Sequence, residues 1–226
     1  MRKHIICFGD SNTHGKCADP SDCADTKRNP LRFNEEERWT CLLQKAIGEE
    51  YLVIEEGLSG RTTVFEDPLY EGMSALSYIE PCLKSHEPVD LLIIMLGVND
   101  TKERFGASAV CISRGLDRLI KKAKLTTYWT GEPNILVICP PPFDARIETA
   151  PAAGTMGKGC AEKSRLLAPE YQKVARENGC HFLDSNGLVE YNTIDFMHLT
   201  RKSHMALAQR LAALLPEILM QKPRRG

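Results

Sequence analysis

The chain has 226 residues, 42% of them hydrophobic and 26% charged, and a formal net charge of -1. This length suits one large α/β domain or two small ones, and the composition is ordinary for a globular protein. The near-neutral charge gives no reason to expect nucleic acid or an anionic membrane as a partner. The longest apolar run, LLIIMLGV at residues 91–98, is far shorter than the ~20 residues of a membrane-spanning helix.

The first residues, MRKHIICFGDS, begin with basic side chains. The apolar stretch that follows is too short for a signal peptide, and no small-residue cleavage site comes after it. The 9 cysteines are scattered without a CxxC pair, so the sequence gives little support to a zinc site. We therefore expect reduced thiols, no metal or other cofactor, and a cytoplasmic location.

Five short runs rich in β-branched residues or leucine predict buried strands. They lie at residues 4–9, 51–56, 90–97, 134–140 and 180–185. Their central residues are almost continuously apolar, which is typical of parallel strands covered on both faces.

Amphipathic or alanine-rich patterns predict helices at residues 35–50, 74–87, 108–124, 163–179 and 201–220. Pro81 should kink or shorten the second of these helices, and Pro216 should break the last turns of the fifth. The strand–helix alternation predicts a three-layer α/β/α fold around a doubly wound, five-stranded parallel sheet. We expect one domain over residues 1–226.

Three segments do not fit this alternation, at residues 14–34, 60–73 and 141–160, and they are rich in Gly, Pro, Asp and Ala. Each follows a strand and therefore leaves the sheet at its carboxyl edge. Open α/β sheets bind ligands at that edge, so these segments are candidate walls of a substrate pocket.

The residues that gather at this edge are of types that nucleophilic catalysis uses. Ser11 follows the first strand, and Asp195 and His198 lie just before the last helix. A serine hydroxyl is a poor nucleophile until an imidazole takes its proton, and the imidazole needs a carboxylate on its other nitrogen. We predict that Ser11 is the nucleophile, His198 the base and Asp195 the orienting acid, with Thr200 capping the last helix.

Attack of a serine on an ester carbonyl creates an oxyanion, which needs hydrogen-bond donors already in place. Gly60 follows the second strand and Asn99 the third. A glycine lets its backbone N–H approach a ligand closely, and an asparagine amide is a donor. We predict an oxyanion hole made by the N–H groups of Ser11 and Gly60 and the Asn99 side chain.

This pattern resembles the SGNH hydrolases, the GDSL-type esterases. The residues behind that name match Ser11 in FGDSNTHG, Gly60 in EEGLSGRTT, Asn99 in MLGVNDT and His198 in DFMHLT. The family's triad acid matches Asp195. The resemblance is closest to the arylesterase and short-chain acyl esterase members. At the position after the nucleophile, where the family often has leucine, this chain has Asn12, which bears on specificity rather than on the chemistry.

The resemblance implies a flavodoxin-like sheet, a small-molecule ester as substrate, and hydrolysis without a metal. It also implies a capacity for acyl transfer to alcohols. Oligomers occur in the family, so a homo-oligomer is compatible with the resemblance. The natural substrate stays open among an acetylated sugar, a small aryl or alkyl acetate and a lysophospholipid.

A flavodoxin-like module without hydrolase activity is the alternative, with GDSNTHG holding phosphate or flavin at a helix N-terminus. The chain lacks the G-x-x-x-x-G-K-[ST] pattern of a P-loop, and such a module has no use for Asn99, Asp195 and His198. Other candidates are weaker. His14 has no paired acid at a clear spacing, and Cys139 lacks an acid–base partner. His204 is six residues past His198, a spacing that does not put both on one helical face, so a metal pair is not expected. Asp10 and Asp100 are expected to hold their turns, and Arg61 to shape its loop.

Overall fold

The computed structural model describes residues 2–27 and 29–220. Five parallel strands form one sheet in the order β2-β1-β3-β4-β5. They are β1 (Lys3–Gly9), β2 (Tyr51–Gly57), β3 (Leu91–Met95), β4 (Ile135–Cys139) and β5 (His181–Asp184). This is the flavodoxin-like order. The predicted five-stranded parallel sheet is confirmed, and the strand ends agree to within a residue or two.

Helices cover both faces of the sheet. Within the described residues they are α1 (Ser11–His14), α2 (Trp39–Ile47), α3 (Ala75–Ser85), α4 (Ala109–Lys124), α5 (Ala153–Met156), α6 (Cys160–Arg165), α7 (Leu167–Glu177) and α8 (Arg201–Met220). Over the same residues, none of these helices combines the length and apolarity that a bilayer crossing requires.

The core has two layers, one on each side of the sheet. Alternate strand residues such as Ile6 and Phe8 pack with α3, α4 and α7, whereas Ile5 and Cys7 pack with α2 and α8. Because both faces of the central strands are covered, the strands are apolar without alternation.

Two of the predicted helices differ from the structure near a proline. The segment 163–179 was expected to form one helix, but it forms α6 and α7, separated at Leu166. Pro169 has no N–H to donate to the carbonyl of Arg165, so a continuous helix would lose a bond at this point.

The prediction that Pro216 breaks the last helix is wrong, because α8 continues to Met220. Leu215 and Ile218 are buried against the sheet on either side of the proline, and this packing outweighs the missing hydrogen bond. Helix α3 likewise continues through Pro81 to Ser85, so the proline does not end it. Tertiary burial decides helix length here more than local propensity does.

Two glycines give the short helix α1 its place on the sheet. Gly9 and Gly57 are register partners at the carboxyl ends of β1 and β2. A Cβ on Gly57 would lie 2.2 Å from the backbone nitrogen of His14, and one on Gly9 would lie 2.0 Å from Thr13 Oγ1. The α1 backbone can therefore pack directly on the strand ends.

Asp10 joins β1 to α1 as the helix N-cap. Its Oδ1 accepts a 2.9 Å hydrogen bond from the N–H of Asn12, which satisfies a donor that the first turn would otherwise leave unpaired. The side chain is almost fully buried, and this burial raises the pKa of Asp10 to about 7. The expectation that Asp10 holds its turn is confirmed.

Gly57→Ala should destabilise the protein because the new methyl group meets backbone rather than a flexible side chain. We expect the free energy of unfolding to fall by roughly 1–3 kcal/mol, the usual cost of overpacking. Gly154→Ala is the matched control, since its Cβ would meet nothing within 4 Å. Urea denaturation of both variants measures the effect. Equal stability of the two would contradict the direct packing of α1 on the ends of β1 and β2.

Asp10→Asn should become more stable relative to the wild type as the pH rises. The pKa of Asp10 is about 7 in the folded protein, against 3.8 for a carboxyl in water. Between these pH values the carboxyl is ionised in the unfolded state and protonated in the folded state. Wild-type stability then falls by up to about 1.4 kcal/mol per pH unit, and the asparagine variant lacks this loss. Unfolding free energies at pH 4, 5.5 and 7 measure it.

Asp144→Asn is the control for this pH series, because the carboxyl of Asp144 is exposed and its pKa is lowered by the hydrogen bonds from Arg146. The free energy of unfolding of Asp144→Asn should not increase relative to that of the wild type as the pH rises. If the unfolding free energies of Asp10→Asn and the wild type differ by the same amount at every pH in this range, Asp10 is already ionised in the folded protein.

Candidate active site

Ser11 and His198, from opposite ends of the chain, are in contact. Ser11 is the first residue of α1, and Asp10 alone separates it from the end of β1. Its Oγ lies 3.0 Å from Nε2 of His198, and both residues are buried. In this geometry the imidazole nitrogen can accept the hydroxyl proton.

Asp195 lies on the other side of the same imidazole. Its Oδ2 is 2.6 Å from Nδ1 of His198. Burial would raise the pKa of Asp195, but the hydrogen bonds from His198, Met197 and Asn192 outweigh it and hold the pKa well below its usual range. The carboxylate is therefore ionised and fixes the imidazole with its proton on Nδ1 and its lone pair facing Ser11.

A tight turn brings Asp195 and His198 together although they are three residues apart. The second carboxylate oxygen, Oδ1, accepts hydrogen bonds from the backbone of Met197 (3.0 Å) and His198 (3.1 Å). Phe196, which follows Asp195 in this turn, has a φ of 56°, a left-handed conformation that is costly for a bulky side chain. The Arg146 guanidinium lies over the Phe196 ring, 4.6 Å from its centroid.

Helix α8 begins directly after this turn. Thr200 Oγ1 accepts a hydrogen bond of 3.1 Å from the N–H of Ser203, so the predicted cap is confirmed. Farther along α8, Nδ1 of the buried His204 accepts a hydrogen bond from the backbone N–H of Trp39. His204 is thereby a packing residue that joins α8 to α2, and burial lowers its pKa to about 3.

Asn99 and Gly60 lie on the loops after β3 and β2, and the Asn99 side chain connects these loops by a hydrogen bond. Asn99 Nδ2 donates to the carbonyl of Arg61, next to Gly60, at 3.1 Å, and the amide has a second hydrogen to offer. Gly60 has a φ of 92°. Over the part of the chain that the structure describes, the N–H groups of Ser11 and Gly60 have no hydrogen-bond acceptor.

Arg61 ties together the loops around the site. Its buried guanidinium donates to the carbonyl of Gly9 at 3.0 Å and to the carbonyl of Glu56. It also lies 4.0 Å from the Glu56 carboxylate and 4.2 Å from the centroid of the Phe8 ring. Arg61 thus shapes its loop, as expected. Its positive charge is paired with backbone carbonyls, the Glu56 carboxylate and the Phe8 ring.

Asp100 acts differently from the expectation that it holds its own turn. Its Oδ1 accepts a 2.9 Å hydrogen bond from the N–H of Thr63, which belongs to the loop after β2. The residue is fully buried, and this burial raises the pKa of Asp100 to about 6. The asparagine-aspartate pair at 99–100 therefore binds the neighbouring loop through both side chains.

One cluster elsewhere has the residue types of a metal site. The ligating atoms of Glu56, Cys82 and His86 lie within 4.8 Å of one another. The Glu56 carboxylate is already bonded to Nε2 of His86 at 2.8 Å and faces the Arg61 guanidinium. Burial raises the pKa of the Cys82 thiol to about 12, so the thiol is neutral. The Glu56 carboxylate already has hydrogen-bonding and charged partners in His86 and Arg61. A cation bound there would be repelled by the positive charge of Arg61.

Sequence reasoning did not identify two asparagines that hold the His198 turn. Asn192 Nδ2 donates to Asp195 Oδ1 and to the carbonyl of His198, both at 2.8 Å. Asn12 Nδ2 donates to the carbonyl of Met197, and its Oδ1 accepts from the N–H of Leu199. An asparagine three residues before a candidate acid is a usual start of a turn, but nothing in the sequence pairs residue 12 with residues 197 and 199.

Two of the segments predicted as pocket walls lie beside the His198 turn. Segment 141–160 contains a short 3₁₀ turn and α5, and it forms a small apolar cluster against Phe196 and Met197. Segment 14–34 contributes Asp19, Ser21 and Asp22 to a polar cleft of about 360 Å³, whose other side includes Asn192 and Thr200.

Comparison with known proteins gives a consistent result. The family model described as GDSL-like Lipase/Acylhydrolase family matches residues 7–206. The structure of an aryl esterase from M. smegmatis is 33% identical, with a TM-score of 0.83 over 96% of this chain and 99% of that one. A carbohydrate acetylesterase from Sinorhizobium meliloti is 31% identical, with a TM-score of 0.81 over 96% and 99% of the two chains.

A member of the lipolytic G-D-S-L family from Veillonella parvula is 16% identical and shares the fold, with a TM-score of 0.64 over 95% of this chain and 98% of that chain. No curated protein matches the sequence. The extent of the family match decides against the flavin-binding alternative, and the chain belongs to the GDSL-like lipase/acylhydrolase family and is a carboxylic ester hydrolase.

Proposed function

We propose that this chain hydrolyses short-chain acyl esters through a triad of Ser11, His198 and Asp195. The observation that carries the proposal is the continuous hydrogen-bonded line from Asp195 Oδ2 through His198 to Ser11 Oγ, with distances of 2.6 and 3.0 Å. Nucleophile, base and orienting acid are then all side chains of this protein, and the chemistry requires no metal.

In the first half of the reaction, Ser11 Oγ attacks the ester carbonyl while His198 Nε2 takes its proton. A carbon–oxygen bond forms and the carbonyl π pair moves to the oxygen, giving a tetrahedral oxyanion. Collapse of this intermediate breaks the bond to the alcohol, which leaves with the proton from His198. The Asp195 carboxylate stabilises the imidazolium between these steps.

In the second half, His198 takes a proton from water, and the resulting nucleophile attacks the acyl-serine carbonyl. Collapse returns the proton to Ser11 and releases the carboxylic acid. An alcohol in place of water would give a new ester by the same steps, so acyl transfer is part of the proposal.

The proposed oxyanion hole consists of the N–H groups of Ser11 and Gly60 and the Nδ2 of Asn99. Its support is the unused hydrogen-bonding capacity of these donors, together with the bond that fixes Asn99 to the loop of Gly60. Donors held by the fold stabilise developing charge without having to reorient.

The substrate proposal rests on the relatives. One is an aryl esterase and another a carbohydrate acetylesterase, and each covers nearly the whole of this chain. We propose small acyl groups, of acetyl type, on an aryl, alkyl or sugar alcohol. A set of p-nitrophenyl esters from two to twelve carbons tests the acyl part, since a small acyl site should show kcat/KM falling with length.

Ser11→Ala should abolish turnover of p-nitrophenyl acetate, with kcat reduced by more than about 10⁴-fold, because the nucleophile is lost. Ser113→Ala is the matched control: Ser113 is also buried, and its hydroxyl bonds the carbonyl of Val110 within α4. The control should keep wild-type kcat. Turnover by Ser11→Ala at the wild-type rate would exclude Ser11 as the nucleophile.

Asn99→Ala should lower kcat by about 10²–10³-fold with a smaller change in KM, which is the usual result of removing one oxyanion donor. Asn134→Ala serves as the control, because Asn134 also donates one 3.2 Å side-chain bond to a backbone carbonyl, that of Ile218. Steady-state kinetics with p-nitrophenyl acetate measure both. If the two variants lose the same small fraction of kcat, Asn99 is a structural residue.

A further inference from the structure

The side chain of Asn12, the residue after the proposed nucleophile, bonds the backbone next to His198. The Asn12 side chain donates from Nδ2 to the carbonyl of Met197 at 3.2 Å. Its Oδ1 accepts from the N–H of Leu199 at 2.9 Å. Met197 and Leu199 are the two residues on either side of His198, so one amide side chain binds the backbone on both flanks of the imidazole.

Asn12 is itself fixed with respect to Ser11. Its N–H donates to the cap residue Asp10 at 2.9 Å, and its carbonyl accepts from Trp39 Nε1 at 3.2 Å. The residue is almost fully buried, so water does not compete for these bonds. The amide orientation follows from its partners, since the reverse placement would face Nδ2 with an N–H and Oδ1 with a carbonyl.

The remaining support of His198 comes from its own loop. Asn192 and Asp195 bond the carbonyl, the N–H and the ring of His198. These contacts hold the shape of the loop but do not relate it to α1. The Asn12 side chain makes that connection, because it joins the helix that carries the nucleophile to the loop that carries the imidazole.

We propose that Asn12 is a positioning residue that sets the distance between Ser11 Oγ and His198 Nε2. The inference rests on the proposed triad and deepens it, and it replaces the expectation that Asn12 bears on specificity rather than on the chemistry. Asn12 touches neither the hydroxyl nor the imidazole in this scheme, and it acts through the backbone of residues 197–199. Proton transfer is sensitive to such placement, and a misplacement of about 1 Å can cost about 10²-fold in rate.

The test compares Asn12→Leu with Asn12→Asp. Leucine has a similar size and removes both bonds, whereas aspartate keeps an acceptor for the Leu199 N–H and loses the donor to Met197. We expect kcat/KM for p-nitrophenyl acetate to fall about 10²-fold in Asn12→Leu, mainly through kcat, and less in Asn12→Asp. Asn178→Leu is the control, since Asn178 makes two side-chain bonds far from the site in sequence, to Asp117 and to Val174.

A double-mutant cycle with His198→Ala separates positioning from general structure. If Asn12 acts through the imidazole, Asn12→Leu should change the residual rate of His198→Ala by less than about 2-fold. A loss of about 10²-fold in that background as well would overturn the inference, because the asparagine would then act elsewhere.

A second readout does not depend on the choice of ester. A fluorophosphonate reacts with an activated serine: Oγ bonds to phosphorus, fluoride leaves, and His198 takes the hydroxyl proton. Intact-mass measurement of the labelling rate should show Asn12→Leu slowed in parallel with kcat and Asn178→Leu unchanged. A wild-type rate in Asn12→Leu would overturn the inference.

The two proposals can fail separately in these experiments. Labelling of the wild type at Ser11 without turnover of any ester in the set would overturn the proposed short-chain activity, and the labelling rates would still decide the role of Asn12. A wild-type protein that neither turns over esters nor takes the label would overturn both, since His198 would then activate no serine.

Discussion

The contact between Ser11 and His198 is the interaction on which the rest of the site depends. It joins residues 187 positions apart, and neither partner could hold it alone. Ser11 is placed by the end of β1 and by α1, which packs on Gly9 and Gly57. His198 is placed by its turn and by α8. The sheet order places β1 between β2 and β3, and the chain segments that leave the carboxyl ends of these parallel strands meet at one edge of the sheet.

A set of buried polar groups connects three loops at this edge of the sheet. Arg61 bonds the end of β1, Asn99 bonds the carbonyl of Arg61, and Asp100 bonds Thr63. Burying such groups is costly unless they are paired. Their arrangement makes sense if the loops carrying the proposed oxyanion donors must keep one relative position, because a donor that moves with a flexible loop gives little stabilisation to developing charge.

The sequence was informative wherever one local rule governs the structure. Strands covered on both faces must be apolar throughout, so their positions could be read to within a residue or two. Glycine, serine and asparagine directly after the strands predicted a site at the carboxyl edge, because parallel strands all end at that edge. Rules failed where burial competes with propensity: Pro216 sits inside α8 because Leu215 and Ile218 are held by the core. The Asn12 contacts could not be predicted at all, since they depend on how two distant backbones meet.

The turn at residues 192–198 shows how a strained conformation can be kept. A φ of 56° at Phe196 is unfavourable for an aromatic residue, and such strain persists only where the surroundings enforce it. Here one carboxylate accepts bonds from Asn192, Met197 and the main chain and ring of His198. An uncharged side chain at position 195 could not accept all of these equally well. The charge that orients the imidazole is thus the same charge that folds the turn, which ties the ionisation of Asp195 to both the shape and the chemistry of the site.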